Sequence, residues 1–157
     1  MIAIINYGTN NTDNIEKSLS ELNYDYILTN NEVEICKADK VIYTGVGEAS
    51  FAVKQLHMHN LFNVLRIIKK PMLGICLGMQ LMCEYSREGN VSCLGIFPSE
   101  CEPLNEQTEK VPHIGWNNVS IKNGSPLFTG INKNEQFYFA HSYFVPVNEH
   151  TSAWSEF

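Results

Sequence analysis

The chain has 157 residues, of which 44% are apolar and 18% charged, so it is long enough for one folded domain and too apolar to be disordered. Its formal net charge of −6 argues against binding to the phosphate backbone of nucleic acids as its main role. The apolar runs are too short to span a bilayer, and the N-terminus does not resemble a signal peptide. We therefore expect a cytoplasmic protein with a single domain over residues 1–157.

The first half of the chain alternates strand and helix signals. Short β-branched runs predict strands, and longer segments with apolar residues three or four positions apart predict helices. The predicted strands are residues 2–6, 24–29, 41–43 and 72–75, and the predicted helices are residues 12–22, 51–69 and 77–85. This alternation predicts an α/β fold with a central, mostly parallel sheet, in which ligands bind at the carboxyl ends of the strands.

The second half of the chain changes character after Cys93. Short, partly alternating segments interrupted by proline and glycine predict antiparallel strands and loops. These segments are residues 95–98, 101–104, 119–121, 137–139 and 143–147. The polar stretch 105–110 predicts an exposed loop. Because no linker composition separates the two halves, we expect the antiparallel portion to belong to the same domain.

A cysteine flanked by glycines, in Gly74-Ile75-Cys76-Leu77-Gly78, lies between a predicted strand and a predicted helix. This is the pattern of a nucleophile elbow, where a sharp turn strains the nucleophile and leaves no space for a Cβ two residues away. The following helix favours the thiolate and offers backbone N–H groups to a developing oxyanion. The pattern predicts that Cys76 is a nucleophile, and the alternative is a cysteine that only packs.

The remaining cysteines do not form a recognisable framework. The total of five is odd, no Cys-x-x-Cys pair occurs, and the histidines lack ligand spacing. Neither a disulfide framework nor a metal site is therefore predicted. We expect small, inert core residues at Cys36, Cys83, Cys93 and Cys101.

Two further segments are candidates for a site near Cys76. Gly45-Val46-Gly47 follows a predicted strand at the same sheet edge, and it is either an ordinary turn or a loop that presents an N–H to the oxyanion. His141, at the end of an aromatic strand, could pair with the thiol, bind substrate or be structural. His113 has the same possible roles.

Several segments together resemble the class I, triad-type glutamine amidotransferases. Residues 70–80 (KPMLGICLGMQ) look like the nucleophile segment of that family. Residues 111–117 (VPHIGWN) and 139–144 (FAHSYF) narrow the resemblance to the glutaminase subunits of imidazole glycerol phosphate synthase, and residues 4–8 and 45–47 fit it. The resemblance covers essentially the whole chain and implies a flavodoxin-like α/β fold.

The resemblance implies a reaction and a set of site residues. Cys76 would attack the side-chain amide of glutamine, releasing ammonia, and water would then release glutamate from the thioester. The oxyanion would be held by the backbone of Leu77 and, after a peptide rearrangement, of Val46. The positions that match the glutamine site are Gly47, Gln80, Glu88, His141, Ser142 and Tyr143.

The resemblance also implies a partner. A (β/α)₈-barrel cyclase subunit would form a heterodimer with this chain and use the ammonia to make imidazole glycerol phosphate and an aminoimidazole ribonucleotide in histidine biosynthesis. Asn11, His113 and Trp116 match positions expected at this partner interface. No metal, cofactor, nucleic acid or membrane is implied.

Three positions depart from the family pattern. The chain has Asn6 where the family usually has Asp, Asn10 where it has Gly, and Thr44 where it has Pro. These positions match the partner interface and the oxyanion loop. A paralogous subunit that supplies ammonia to another acceptor, such as a sugar, is therefore an alternative.

The family's catalytic His and Glu lie in a His-Pro-Glu segment near its C-terminus, and no His-x-Glu occurs in this chain. Residues 148–157 resemble the region upstream of that segment. We therefore expect C-terminal elements of roughly forty to fifty residues to be missing. Because general-base assistance contributes about 10²–10⁴-fold, we expect the chain to be nearly inactive as a glutaminase. A relic that only binds its partner is a further alternative.

Overall fold

The structure, a computed structural model, describes residues 1–8, 11–122, 124–132 and 135–156. Asn10, one of the positions that depart from the family pattern, and Phe157 lie outside the described residues. The chain divides into two units, Met1–Cys101 and Glu102–Phe157. The division falls within one strand, and each unit has its own arrangement of strands.

Four parallel strands form the sheet of the first unit, as predicted. β1 (Ile2–Ile5) lies between β2 (Tyr26–Thr29) and β3 (Lys40–Gly45), and β4 (Met72–Cys76) pairs with the other side of β3. In the register of β3 and β4, Gly45 lies opposite Cys76. The carboxyl ends of these two strands therefore meet at one edge of the sheet.

Five helices accompany this sheet. They are α1 (Asp13–Glu21), α2 (Glu32–Lys37), α3 (Ala49–Met58), α4 (Leu61–Ile67) and α5 (Leu77–Met82). Within the described residues, no helix combines the length and apolar character that crossing a membrane requires.

Both faces of the sheet carry apolar side chains, because successive residues of a strand point to opposite faces. On one face, Ile4 and Ile42 pack with Leu19 of α1. On the other face, Ile5 and Tyr43 belong to a larger cluster of buried residues that includes side chains from α2, α3, α4 and α5. Burial on both faces is typical of a parallel sheet and explains why its strands are nearly continuous apolar runs.

Two helix predictions need correction, and one short helix was missed. The segment predicted as one helix over residues 51–69 forms α3 and α4, which are separated at Asn60, a residue with a left-handed φ of 58°. The helix predicted over residues 77–85 ends at Met82. The short helix α2 was not predicted, although the side chain of Asn31 caps it by accepting a hydrogen bond from the N–H of Val33.

The rest of the first unit is a small sheet. β5 (Cys83–Ser86) pairs antiparallel with β6 (Val91–Ser92) and parallel with the first part of β7 (Phe97–Pro103). Cys83, Cys93 and Cys101 are buried, as expected. Burial raises the pKa of Cys83 to about 11 and that of Cys93 to about 12, which keeps both thiols protonated and unreactive at neutral pH.

Cys36 corrects the expectation of a buried cysteine. It lies in α2 and is exposed, whereas its neighbour Ile35 is fully buried. Adjacent residues on a helix point about 100° apart. The side of α2 that buries Ile35 therefore leaves Cys36 facing away from the core.

The second unit is built from antiparallel strand pairs, as predicted for this part of the chain. The predicted separate segments 95–98 and 101–104 instead fall largely in one strand, β7, whose first part pairs parallel with β5. β8 (His113–Asn118) pairs with β10 (Gln136–His141). β9 (Ser120–Ile121) pairs with β12 (Ala153–Trp154), and β11 (Tyr143–Phe144) pairs with the last two residues of β7. A 3₁₀ turn covers Pro126–Phe128. The sequence patterns did not predict β8, where a strand of six residues contains a glycine and two asparagines.

Candidate active site

Cys76 lies in the strained turn between β4 and α5. Its φ of 53° and ψ of −119° fall outside the regions that residues with a side chain normally adopt. Such outliers persist only where the surrounding structure enforces them, and they are concentrated at functional sites. The side chain of Cys76 is exposed. The turn therefore has the backbone conformation of a nucleophile elbow and presents an accessible thiol.

The glycines on either side of Cys76 lie against neighbouring backbone atoms. A Cβ added to Gly78 would overlap the carbonyl oxygen of Tyr43 in β3. A Cβ added to Gly74 would lie 2.8 Å from the Cα of Met79 in α5. Close packing between the first turn of α5 and the strands, rather than chain flexibility, accounts for both glycines.

The loop after β3 begins beside the nucleophile, since Gly45 is paired with Cys76. Val46 in this loop is exposed, and Gly47 has a φ of 103°, a conformation that favours glycine. Leu77, the first residue of α5, follows Cys76 directly and is buried. The two predicted oxyanion donors, the N–H groups of Val46 and Leu77, therefore follow the ends of adjacent strands.

Gln80 and Glu88 are joined by hydrogen bonds. Nε2 of Gln80 donates to Oε2 of Glu88 at 2.9 Å and to Oγ of Ser86 at 2.7 Å. The backbone N–H of Ala49, at the start of α3, donates to the same carboxylate oxygen at 3.0 Å. The structure thus brings together two residues that the sequence assigned to the glutamine site separately. Both residues belong to the first unit, which also contains Cys76, Val46, Leu77 and Gly47.

Ser86 and the N–H of Ala49 were not among the predicted site residues. The N–H of Glu88 donates to Oγ of Ser86 at 3.1 Å, which is the local bond that a serine makes with the backbone two residues ahead. The Ser-x-Glu spacing is the only sequence signal for Ser86. The contact of Ala49 with Glu88 joins residues 39 positions apart and has no local signal.

His141 and His113 form a pair in the second unit. Nε2 of His141 lies 3.0 Å from Nδ1 of His113, and Nδ1 of His141 lies 2.9 Å from the carbonyl oxygen of Tyr143. A carbonyl only accepts, so Nδ1 of His141 donates, and in neutral rings Nε2 of His141 accepts from His113. Burial and, secondarily, the neighbouring His141 lower the pKa of His113, which favours the neutral ring of His113.

The segment that follows His141 is held by backbone bonds. The carbonyl of Ser142 accepts a hydrogen bond from the N–H of Leu104 at 2.9 Å, and Tyr143 pairs with Pro103. Both ring nitrogens of His141 are engaged, which argues against the possibility that it acts as a base for the thiol. The assignment of His141, Ser142 and Tyr143 to glutamine binding stays a prediction.

One face of the β8–β10 pair is apolar and exposed. Trp116 and Tyr138 lie opposite each other in the register, with ring centroids 5.5 Å apart, and they are 67% and 57% exposed. Ile114 is also exposed. Alternation along β8 places His113 on the other face, where it is buried and stacks on Phe139 at 5.0 Å. Among the residues expected at a partner interface, the side chain of His113 is therefore not available for contact.

Asn11, the third residue expected at the interface, is exposed and precedes α1 in the first unit. Among the described residues, no group of three or more His, Cys, Asp or Glu side chains is placed to hold a metal ion.

The sequence matches the family described as glutamine amidotransferase class-I over residues 3–156. It is 41% identical over 158 residues to "imidazole glycerol phosphate synthase subunit HisH" of Bacteroides fragilis, and 40% identical over 158 residues to the same subunit of Buchnera aphidicola. Each alignment covers 99% of this chain and 80% of the relative. The chain belongs to the HisH family of class-I glutamine amidotransferases.

The fold of this HisH-family chain also occurs in a solved structure described as a glutamine amidotransferase. The superposition has a TM-score of 0.75 and covers 98% of this chain and 79% of that one. With 11% sequence identity, this similarity concerns the fold alone. It agrees with the predicted α/β architecture of class I amidotransferases.

Proposed function

We propose that the chain is the glutaminase subunit of an imidazole glycerol phosphate synthase, a subunit that hydrolyses glutamine to glutamate and ammonia for histidine biosynthesis. Because no His-x-Glu segment occurs in residues 1–157, we expect this chain to turn glutamine over very slowly, without the roughly 10²–10⁴-fold assistance of a general base. The observation that carries this proposal is the strained, exposed Cys76 in a chain 41% identical to a subunit of that name. The family match over residues 3–156 supports the further proposal that residues 1–157 belong to one amidotransferase domain.

In the proposed reaction, the thiolate of Cys76 attacks the side-chain carbonyl carbon of glutamine. The carbonyl oxygen becomes an oxyanion, to which the N–H group of Leu77 donates and, after a peptide rearrangement, that of Val46. The carbon–nitrogen bond then breaks as the nitrogen takes up a proton from solvent water, which releases ammonia and leaves a thioester on Cys76. Attack of water on the thioester releases glutamate and regenerates the thiol.

The substrate's α-ammonium group requires an anionic partner, and we propose Glu88. Oε2 of its carboxylate accepts from Gln80 and Ala49, whereas Oε1 accepts no hydrogen bond from the described residues. A carboxylate with one oxygen fixed and the other open can form a charge-assisted hydrogen bond with an ammonium group. Gly47, next to Val46, is proposed to contact the same substrate.

We expect L-glutamine to protect Cys76, but not Cys36, from alkylation by iodoacetamide. These two thiols are exposed, and the other three cysteines are buried, so Cys36 serves as an internal control in the same chain. Mass spectrometry of the modified peptides measures the two rates separately. The proposed glutamine site is contradicted if Cys76 reacts at the same rate with and without L-glutamine, or if D-glutamine protects it equally well.

We further propose that the exposed face formed by Ile114, Trp116 and Tyr138 docks a cyclase subunit of the (β/α)₈-barrel type. Isolated exposed apolar residues are common, but three neighbours on one strand pair, two of them aromatic, are typical of an interface. The word "subunit" in the name of the relatives supports a partner.

We expect Trp116→Ala to weaken binding of the cyclase subunit by about thirtyfold or more, because a central aromatic side chain commonly contributes about 2 kcal/mol or more at an interface. Isothermal titration calorimetry measures the dissociation constant. Met58→Ala, at the exposed end of α3, is the control for loss of an exposed apolar side chain. Equal affinities for the two variants would show that the face around Trp116 is not the docking surface.

A further inference from the structure

Ser86 is a buried hydroxyl that the proposed reaction does not use. Its side chain is fully buried at the end of β5. Its Oγ accepts hydrogen bonds from Nε2 of Gln80 at 2.7 Å and from the N–H of Glu88 at 3.1 Å. It therefore contacts Glu88, which we place against the substrate's ammonium group, and Gln80, which donates to the carboxylate of Glu88.

The amide of Gln80 connects Ser86 to the carboxylate of Glu88 through two hydrogen bonds. A primary amide nitrogen has two hydrogens, and here one is directed at Ser86 and the other at Oε2 of Glu88. A carboxylate needs a donor, so the nitrogen rather than the oxygen of the Gln80 amide must face Glu88. The hydroxyl of Ser86 accepts the second hydrogen and thereby fixes the rotation of the amide.

The backbone contact acts on the same carboxylate. The bond from the N–H of Glu88 to Ser86 closes a tight turn, which sets where the side chain of Glu88 begins. The N–H of Ala49 donates to Oε2 of the same carboxylate at 3.0 Å. With Oε2 fixed by two donors, the direction in which Oε1 is presented depends on Ser86 through both its contacts.

We propose that Ser86 is a positioning residue that sets the affinity of the site for the α-ammonium group of its amino-acid substrate, an inference that rests on the proposed glutaminase function. Ser86 does not touch the substrate in this scheme. Its removal leaves a buried donor of Gln80 without its partner and frees the amide to turn away from Glu88. The effect should be confined to ligands with an ammonium group, because only that group binds the carboxylate.

The test compares two ligands in the protection of Cys76 from iodoacetamide. L-Glutamine carries the α-ammonium group, and 4-carbamoylbutanoate has the same amide and carboxylate but no amino group. We expect Ser86→Ala to raise the half-protecting concentration of L-glutamine by about tenfold, the effect of losing one hydrogen bond to a charged network. The value for 4-carbamoylbutanoate and the rate without ligand should stay unchanged.

Two control variants separate positioning from general damage. Ser86→Thr keeps the hydroxyl and should restore most of the preference for L-glutamine. Ser50→Ala removes a nearby hydroxyl that bonds to Glu48, and it should leave both ligands unaffected. If Ser86→Ala does not fold, Gln80→Met, which removes both amide donors, should show the same selective loss.

The outcomes are distinguishable. Absence of protection by L-glutamine in the wild type would refute the proposed glutaminase site itself. Protection in the wild type with an unchanged preference for L-glutamine in Ser86→Ala, or in a folded Gln80→Met, would overturn the role of Ser86. An equal loss of both ligands in Ser86→Ala would also overturn it, because it would indicate a merely structural role.

Discussion

Cys76→Ser is expected to abolish covalent addition of a chloroketone analogue of glutamine, and Cys36→Ser is expected to leave it unchanged. In this analogue a chloromethyl ketone replaces the side-chain amide, and the thiolate displaces chloride to form a thioether. Cys76 should react at least about 10³-fold faster than Cys36, because binding aligns the reacting carbon with one thiol only. A serine hydroxyl at position 76 is too weak a nucleophile without an activating base.

Intact-mass spectrometry measures this reaction by the number of adducts for each chain. The wild type and Cys36→Ser should each carry one, and Cys76→Ser should carry none over the same interval. Circular dichroism shows whether Cys76→Ser keeps its fold. A single adduct that disappears in Cys36→Ser instead would place the reactive thiol on α2 and contradict the proposed role of the elbow.

The elbow could be predicted because its signal is local. Cys76 stands between two glycines and between a strand pattern and a helix pattern, and the positive φ of Cys76 and the close approach of Gly78 to Tyr43 follow from that short segment. The parallel sheet was predictable for a similar reason. Strands buried on both faces, such as residues 2–5, must be continuous apolar runs.

The break between α3 and α4 could not be predicted from apolar spacing. Leu56, Leu61 and Leu65 are all fully buried, so the apolar pattern continues through the break. The left-handed conformation of Asn60 turns the chain while both helices keep an apolar side facing the core. The spacing of apolar residues indicates which residues face the core, but it does not indicate whether they belong to one helix or to two.

The hydrogen-bond partners of Glu88, in the first unit, and of His141, in the second unit, depend on tertiary structure. The bond from Ala49 to Glu88 joins α3 to a turn 39 residues away, and the bond between His113 and His141 joins two strands 28 residues apart. The sequence indicated Glu88 through the resemblance to a family, and it indicated His141 both through that resemblance and through its position at the end of an aromatic strand. The sequence did not indicate the groups that form hydrogen bonds with Glu88 and His141, because packing and strand register determine which groups lie beside them.

Gly78→Ala is expected to destabilise the first unit by about 3 kcal/mol or more, although alanine is the better helix former. Helix propensity alone predicts a gain of about 1 kcal/mol for this substitution in α5. The new Cβ would, however, overlap the carbonyl oxygen of Tyr43 and lie 3.1 Å from the backbone nitrogen of Thr44. These are backbone atoms of a central strand, so α5 itself must shift to relieve the overlap. Urea unfolding measures the change in the free energy of unfolding.

Gly95→Ala is the matched control for this substitution. A Cβ at Gly95 would meet no atom within 4 Å, and its φ of 64° predicts a loss of only about 1–2 kcal/mol from backbone strain. Gly78→Ala should therefore be the more destabilising of the two, and its shift of α5 should also slow the reaction of Cys76 with the chloroketone. A Gly78→Ala variant as stable as the wild type would contradict the close contact of α5 with β3. In that case the strained conformation of Cys76 would have to be maintained by other contacts.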